Sequence, residues 1–273
     1  MNFTDSPTKL MRVRYGRDFP GLGHQLTTLC YVLKYCQDNG FFPVMDDDPA
    51  NAYGQWTDYF EPFWNEEQRA RVAQAGLSLP VIDNDLNWVA SRSGLFGERW
   101  ADYATEIREI FLAIYVLKSS VVSDVARSVD ALRLPQSYVS LQVRRGDKNG
   151  QFKEYGALSD KEVVARAATT VKERRVENVF VLTDDYGIVE EIRATTSFQV
   201  FTLCRPDYRG KQRHVRNSPG HTLDLLTEIA VAVGADAHFQ TVRSRVSKMI
   251  RLLRDDVNCH HVFEEGYTQY TAL

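Results

Sequence analysis

The densest chemistry in the sequence lies in Val143-Arg144-Arg145-Gly146-Asp147-Lys148. Two adjacent guanidiniums stay charged at any biological pH, and each matches an oxyanion with paired N–H donors. Placed directly after an apolar run, such a pair can neutralise a diphosphate as it departs. A surface turn in which Arg145 pairs with Asp147 is the structural alternative. A second basic stretch, Thr241 to Lys248, contains Ser244, a good helix N-cap residue. A helix start offers free N–H groups and the positive end of a dipole to an anion, and Arg243, Arg245 and Lys248 add charge. A capped helix with a solvated basic face explains the same residues.

Two weaker features accompany these. In Pro20-Gly21-Leu22-Gly23-His24-Gln25 the glycines allow the backbone to approach a ligand closely. The third glycine of a dinucleotide fingerprint is missing, so a tight strand-to-helix turn accounts for it equally well. In Thr183-Asp184-Asp185 one carboxylate can cap the next helix; the alternatives are a metal ligand or a group that orients the arginines. Asp46-Asp47-Asp48 reads as a solvated turn. Neither acidic run brings a second ligand cluster, so no metal site is expected.

The elements that would position these groups alternate. Leu10–Tyr15 reads as a strand. Leu22, Leu26, Leu29, Cys30, Leu33 and Cys36 then recur at helical spacing, and Asn39-Gly40 ends that helix. Phe41–Met45 reads as a strand despite Pro43. Residues 47–63 read as a loop, 65–75 as a polar helix and Leu79–Asp83 as a short strand. Helices over 99–117 and from Val121 to Leu132 follow, closed by Pro135. The second half runs as follows: strand Tyr138–Val143, a capping box at Ser159-Asp160-Lys161-Glu162 with its helix, and strand Asn178–Thr183. A short helix, a strand to Leu203, a helix over 221–233, a strand over 236–240 and a helix over 244–254 complete it. Strands alternating with helices demand parallel pairing. The expected fold is α/β with two Rossmann-like domains: 1–135, 136–255, and a tail, 256–273, able to cross back to the first domain. Ligands of such sheets sit beyond the carboxyl ends of the strands, where these motifs fall.

The 273 residues are enough for one large or two medium domains. A net charge of −3 provides no global field for a nucleic acid, so an anion site must be local. The four cysteines include no Cys-x-x-Cys pair, and Cys30 and Cys36 fall in the apolar helical stripe. Buried thiols and a reducing compartment fit better than disulfides or zinc. The polar N-terminus lacks the apolar core of a signal peptide, and no apolar run is long enough to span a membrane. A cytoplasmic protein is expected.

Taken together, the motifs resemble those of the α-1,6-fucosyltransferases and their bacterial Nod-factor relatives. Arg144-Arg145-Gly146-Asp147-Lys148 is similar to that family's His-x-Arg-Arg-x-Asp-Lys motif, and Val181-Leu182-Thr183-Asp184-Asp185 to its Thr-Asp-Asp motif. Ala235-Asp236, Ser244 and Val246 resemble its last motif, and Gly21-Leu22-Gly23-His24-Gln25 its early glycine loop. The resemblance spans residues 10–255 in the family's order. It implies a GT-B-like fold whose second domain holds GDP, with Arg144 or Arg145 on the β-phosphate and Ser244 on the same diphosphate. It also implies an inverting, metal-independent transfer of L-fucose from GDP-fucose to a glycan hydroxyl, with no other cofactor. Donor-side residues would be Gly21, Gly23, His24, Gln142, Lys148, Asp184, Asp185, Glu228, Arg243, Ser244 and Arg245. An acceptor hydroxyl needs a base within hydrogen-bond reach; Phe152 occupies the family's place, leaving Glu154 or Asp147.

The sequence departs from the family at other points. Gln142 stands for a histidine and Glu228 for an aspartate that help to read guanine, and Arg243 and Arg245 replace uncharged residues. Two further readings follow: another GDP- or UDP-linked sugar, and a non-catalytic nucleotide- or glycan-binding protein of the same fold. Trp56, Trp88 and Trp100 are candidate acceptor-stacking surfaces, with core packing the better account of Trp100.

Overall fold

The computed structural model describes residues 9–15, 22–46, 55–75, 80–84, 100–145, 159–209, 219–240, 244–254 and 259–261. The chain forms two compact units, Met1–Val121 and Val122–Leu273. Their division falls inside the helix Ser119–Ala131 rather than at Pro135. The start of that helix is tied to the first unit. Lys118 donates its backbone N–H to Tyr59 and its ammonium to the Thr57 carbonyl, while Leu117 bridges to Phe60.

In the first unit, β1 (Lys9–Tyr15), α1 (Leu22–Asp38), β2 (Phe41–Asp46), α2 (Trp56–Tyr59), α3 (Glu66–Ala75), β3 (Val81–Asn84) and α4 (Trp100–Ile114) follow in order. The strands form a parallel sheet, β2-β1-β3. Pro43 is accommodated because β2 lies at an edge, where a missing ladder donor costs least. The whole predicted stripe of α1, from Leu22 to Cys36, is buried. Burial pushes the Cys36 thiol up to about 12 and raises that of Cys30 as well. None of the four cysteines forms a disulfide. The helix stops where Gly40 takes a left-handed φ of 66°, which suits a residue without a Cβ.

The second unit holds the rest of α5 (Ser119–Ala131), then β4 (Val139–Val143), α6 (Asp160–Glu173), β5 (Asn178–Thr183), α7 (Tyr186–Thr195) and β6 (Gln199–Phe201). After these come α8 (Pro219–Gly234), β7 (Ala237–Gln240), α9 (Arg245–Arg254) and β8 (Cys259–His261). Its sheet is parallel throughout, in the order β6-β5-β4-β7-β8. The order grows outward from β4 in one direction and then reverses, so the topological switch point lies between β4 and β7. Val139, Leu141, Val143, Val179, Val181, Ala237 and Phe239 share one core with Val163, Val164, Ala167 and Val171 of α6 and Ile188, Val189 and Ile192 of α7. The Ser159 capping box forms as its sequence predicts: the Ser159 hydroxyl accepts from the Glu162 N–H, and Glu162 accepts from the Ser159 N–H. Within the segment 256–273, Cys259–His261 adds an edge strand to the second sheet, beside β7. Arg174 reaches the His260 ring there, 2.7 Å away, and His260 stacks on Phe239.

The predicted loop 47–63 differs in one respect. Gln55–Asp58 closes into a capping box, and Trp56–Tyr59 forms a helical turn. Trp56 is buried against Phe60 and Phe63 and donates its ring N–H to the Glu61 carbonyl. It is a core residue, which corrects its reading as an acceptor-stacking surface. Trp88 lies outside the described residues.

Candidate functional site

The site grows from the register of the second sheet. Val143 is the last residue of β4 and pairs with Thr183, the last of β5. The next residue after each strand therefore sets Arg144 beside Asp184. Arg144 Nη1 lies 3.0 Å from Asp184 Oδ2, and the Arg145 backbone N–H donates to Asp184 Oδ1 at 2.8 Å. One buried carboxylate thus holds the side chain of the first arginine and the backbone of the second. Asp184 is 2% exposed, whereas the Arg144 side chain keeps 20% of its surface in solvent. That residual exposure leaves the Arg144 guanidinium able to meet an anion from outside.

The two aspartates divide the roles that the sequence left open between them. Asp185 is the helix cap: its carboxylate accepts from the Gly187 N–H at 2.9 Å and starts α7. Asp184 is the group that orients the arginines. Arg145 is buried, and its charge reaches the capping box of α6. The Ser159 hydroxyl and N–H hold the Glu162 carboxyl below its usual range, with Arg166 and Arg145 acting in the same direction.

The other side of the switch point is the start of α9. The Ser244 carbonyl accepts the Lys248 N–H, so Ser244 stands at the N-cap position. Its hydroxyl accepts from Gln142 Nε2 at 2.9 Å, and the Ser247 hydroxyl donates to Gln142 Oε1. Gln142 lies on β4, two residues before Arg144. The helix start is therefore tied to β4 at a point two residues, about 7 Å of extended chain, before Arg144. Arg245 and Lys248 lie in the first turn of this helix. Burial, with the charge of Arg245 added, lowers the Lys248 ammonium to about 8. Glu228, on α8, is 1% exposed.

Behind the site, β4 and β7 turn polar side chains toward α8 and α9, while β5 turns the buried Phe180 and Leu182 to the same face. Ser140, Gln142, His238 and Gln240 are all buried there, and the Ser140 hydroxyl meets His238 Nδ1 at 2.8 Å. At the far end of α9, Arg254 donates to the carbonyls of Ala232, Val233 and Ala235, satisfying the last turn of α8. The sequence reading missed both the Gln142–Ser247 contact and this clamp. Ser244 and Ser247 are three apart in one helical turn, a spacing that places them on one face and was legible. The partners of Gln142 and Arg254 are set by tertiary structure alone.

No protein-family model and no curated protein matches the sequence. Solved structures match it in fold. NodZ α-1,6-fucosyltransferase soaked with GDP-fucose is 15% identical with a TM-score of 0.53, and the match covers 90% of this chain and 93% of that one. Another matching NodZ structure is from Bradyrhizobium. POFUT1 in complex with GDP is 12% identical, with a TM-score of 0.60 and coverage of 94% and 99%. A point mutant of FUT1 from Arabidopsis thaliana, in complex with GDP, is 12% identical, with a TM-score of 0.55 and coverage of 92% and 70%. The chain has the fold of these fucosyltransferases.

On this fucosyltransferase fold, Gln142, Arg144, Arg145, Asp184 and Ser244 gather at the β4 end of the second sheet, with Asp185 capping the adjacent helix. Gly23 lies in the first turn of α1, in the first unit, where its carbonyl accepts from the Thr27 hydroxyl. Gly21, Asp147, Lys148, Glu154 and Arg243 lie outside the described residues, as does the side chain of His24. Among the described residues no group of three or more His, Cys, Asp or Glu could hold a metal ion, and no helix is long and apolar enough to cross a membrane.

Proposed function

We propose that this protein is an inverting glycosyltransferase that moves L-fucose from GDP-fucose to a glycan hydroxyl without a metal ion. The observation that carries this reading is the Arg144–Asp184–Arg145 cluster at the switch point of a parallel sheet, beside the capped start of α9. The fold likeness to GDP- and GDP-fucose-bound fucosyltransferases supports the same donor.

In this reading the diphosphate lies between Arg144 and the first turn of α9. Asp184 keeps Arg144 extended and fixes the chain at Arg145, so positive charge is in place before the reaction begins. The acceptor oxygen attacks the anomeric carbon from the side opposite the diphosphate and inverts it. A carboxylate, Glu154 or Asp147, takes the hydroxyl proton. The bond from carbon to phosphate oxygen breaks, and its electron pair leaves with GDP. Arg144, the first-turn N–H groups of α9, and the charges of Arg243, Arg245 and Lys148 take up that negative charge. Asp184 is already engaged by both arginines, which favours cationic neutralisation over metal ligation at this carboxylate. The first unit, Met1–Val121, is the candidate acceptor side.

The test is to incubate the protein with GDP-fucose and a panel of glycan acceptors and to assay transfer and donor hydrolysis, with and without EDTA. Fucose transfer that survives EDTA is expected. Loss of activity with EDTA and its recovery with Mn²⁺ would give Asp184 and Asp185 a metal role. Failure of any nucleotide sugar to bind or react would overturn the reading. A second reading, transfer from another GDP- or UDP-linked sugar, is favoured by Gln142. Its amide is occupied by Ser244 and Ser247, at the place where the family that the motifs resemble carries a base-reading histidine. Thermal-shift titration with GDP, UDP and their sugars separates the two.

A further inference from the structure

We infer that Gln142 is a positioning residue for the diphosphate, not a reader of the base: it locks the first turn of α9 onto the end of β4, next to Arg144. The inference rests on the nucleotide-sugar reading above and concerns how that same site is held together.

Three observations converge. Both ends of the Gln142 amide are committed within the protein. Nε2 donates to the Ser244 hydroxyl, and Oε1 accepts from the Ser247 hydroxyl. All three side chains are out of solvent, with Gln142 5%, Ser244 8% and Ser247 1% exposed. Hydrogen bonds at such depth fix geometry, because breaking one leaves a polar atom dry. Finally, Ser244 and Ser247 are three apart in the helix, so a single amide grips both ends of its first turn.

The consequence is mechanical. An anion site at a helix start depends on where the first-turn N–H groups point, and a turn that frays or tilts loses that aim. In the chain α9 follows β7, and its first turn has to be held against β4, the neighbouring strand. Gln142 supplies that restraint from the same strand that delivers Arg144. The two halves of the proposed diphosphate cradle are thereby registered to one strand. A carboxamide suits this task because it offers one donor and one acceptor a short distance apart, matching two hydroxyls without introducing charge. Arg254 restrains the other end of α9 through the carbonyls of α8, so the helix is held at both ends.

Affinities for GDP, UDP and inorganic pyrophosphate, measured by calorimetry on the full chain, test this. The variants are Gln142→Ala, Ser247→Ala and their combination. Loss of the two contacts should weaken GDP and pyrophosphate binding by the same factor, about tenfold. UDP binding should fall in proportion where it is measurable. The combined variant should be no worse than Gln142→Ala, since both remove the same restraint. If Gln142→Ala weakens GDP and leaves pyrophosphate unchanged, Gln142 reads the base and the inference fails while the nucleotide-sugar reading stands. Unchanged affinities for both ligands also overturn it. If the wild-type protein binds none of the three ligands, both readings fall together. Ser247→Ala removes only one hydroxyl, so it carries the test if Gln142→Ala does not fold.

Discussion

The two faces of the strand that ends in Arg144 make opposite demands on the chain. Toward α6 and α7, β4 presents Val139, Leu141 and Val143, which disappear into a continuous apolar core. Toward α8 and α9 it presents Ser140 and Gln142, and its neighbour β7 presents His238 and Gln240, all equally buried. Burial alone therefore does not distinguish the faces; what differs is how burial is satisfied. The apolar face gains from every square ångström removed from water and tolerates any neighbour of suitable shape. The polar face must match each donor to an acceptor, so it specifies the placement of α9 rather than merely favouring compactness. The helix under the proposed phosphate site is the one held by the specific face.

Substitutions on the two faces should consequently fail in different ways. The largest effect is expected from Leu141→Ala on the apolar face. It should cost about 2–5 kcal/mol of stability in denaturant unfolding while leaving GDP affinity in the folded fraction nearly unchanged. A parallel collapse of GDP affinity would mean that the faces are not separable. Next come Arg144→Ala and Arg145→Ala, at the end of the same strand. Each should lower transfer by at least about 100-fold, as when one preorganised charge partner is removed; near-normal rates in both would refute the site. A smaller change is expected for Ser140→Ala on the polar face, about 1–2 kcal/mol, because buried His238 loses a partner. No change in its melting temperature would show that the Ser140–His238 contact is dispensable.

The smallest effect concerns pH. Burial lowers the Lys248 ammonium from its usual value of 10.5 to about 8 in the folded chain. Between pH 8 and 10.5 the unfolded chain then binds the extra proton, so stability should rise with pH across that window. Below pH 8 both states are protonated, and the full cost of the buried charge is present. Lys248→Met should flatten this rise in thermal melts and be more stable than the wild type near pH 7. An unchanged pH profile in Lys248→Met would remove Lys248 as its source.

Much of this organisation was legible in the sequence, and the reason is local. The stripe of α1 at helical spacing, the Ser159 capping box, the Asn39-Gly40 stop and the apolar runs of β4 and β5 each depend on neighbours within a few residues. Turn geometry and side-chain period act at that range. The Arg144-Arg145 and Asp184-Asp185 pairs were legible as candidates for the same reason: each directly follows an apolar strand.

Only the tertiary structure decided which aspartate serves which partner. The register that sets Val143 against Thr183 gives Asp184 to the arginines and leaves Asp185 to cap α7. It also decided that Trp56 is core and that Cys259–His261 joins the second sheet. The amide of Gln142 was likewise assigned by the fold, to two serines about a hundred residues away in sequence. Local chemistry determines which residues can bind charge or cap a helix. Only the pairing of distant strands and helices determines which of them meet, because those contacts depend on sheet order and register, which no short window of sequence contains.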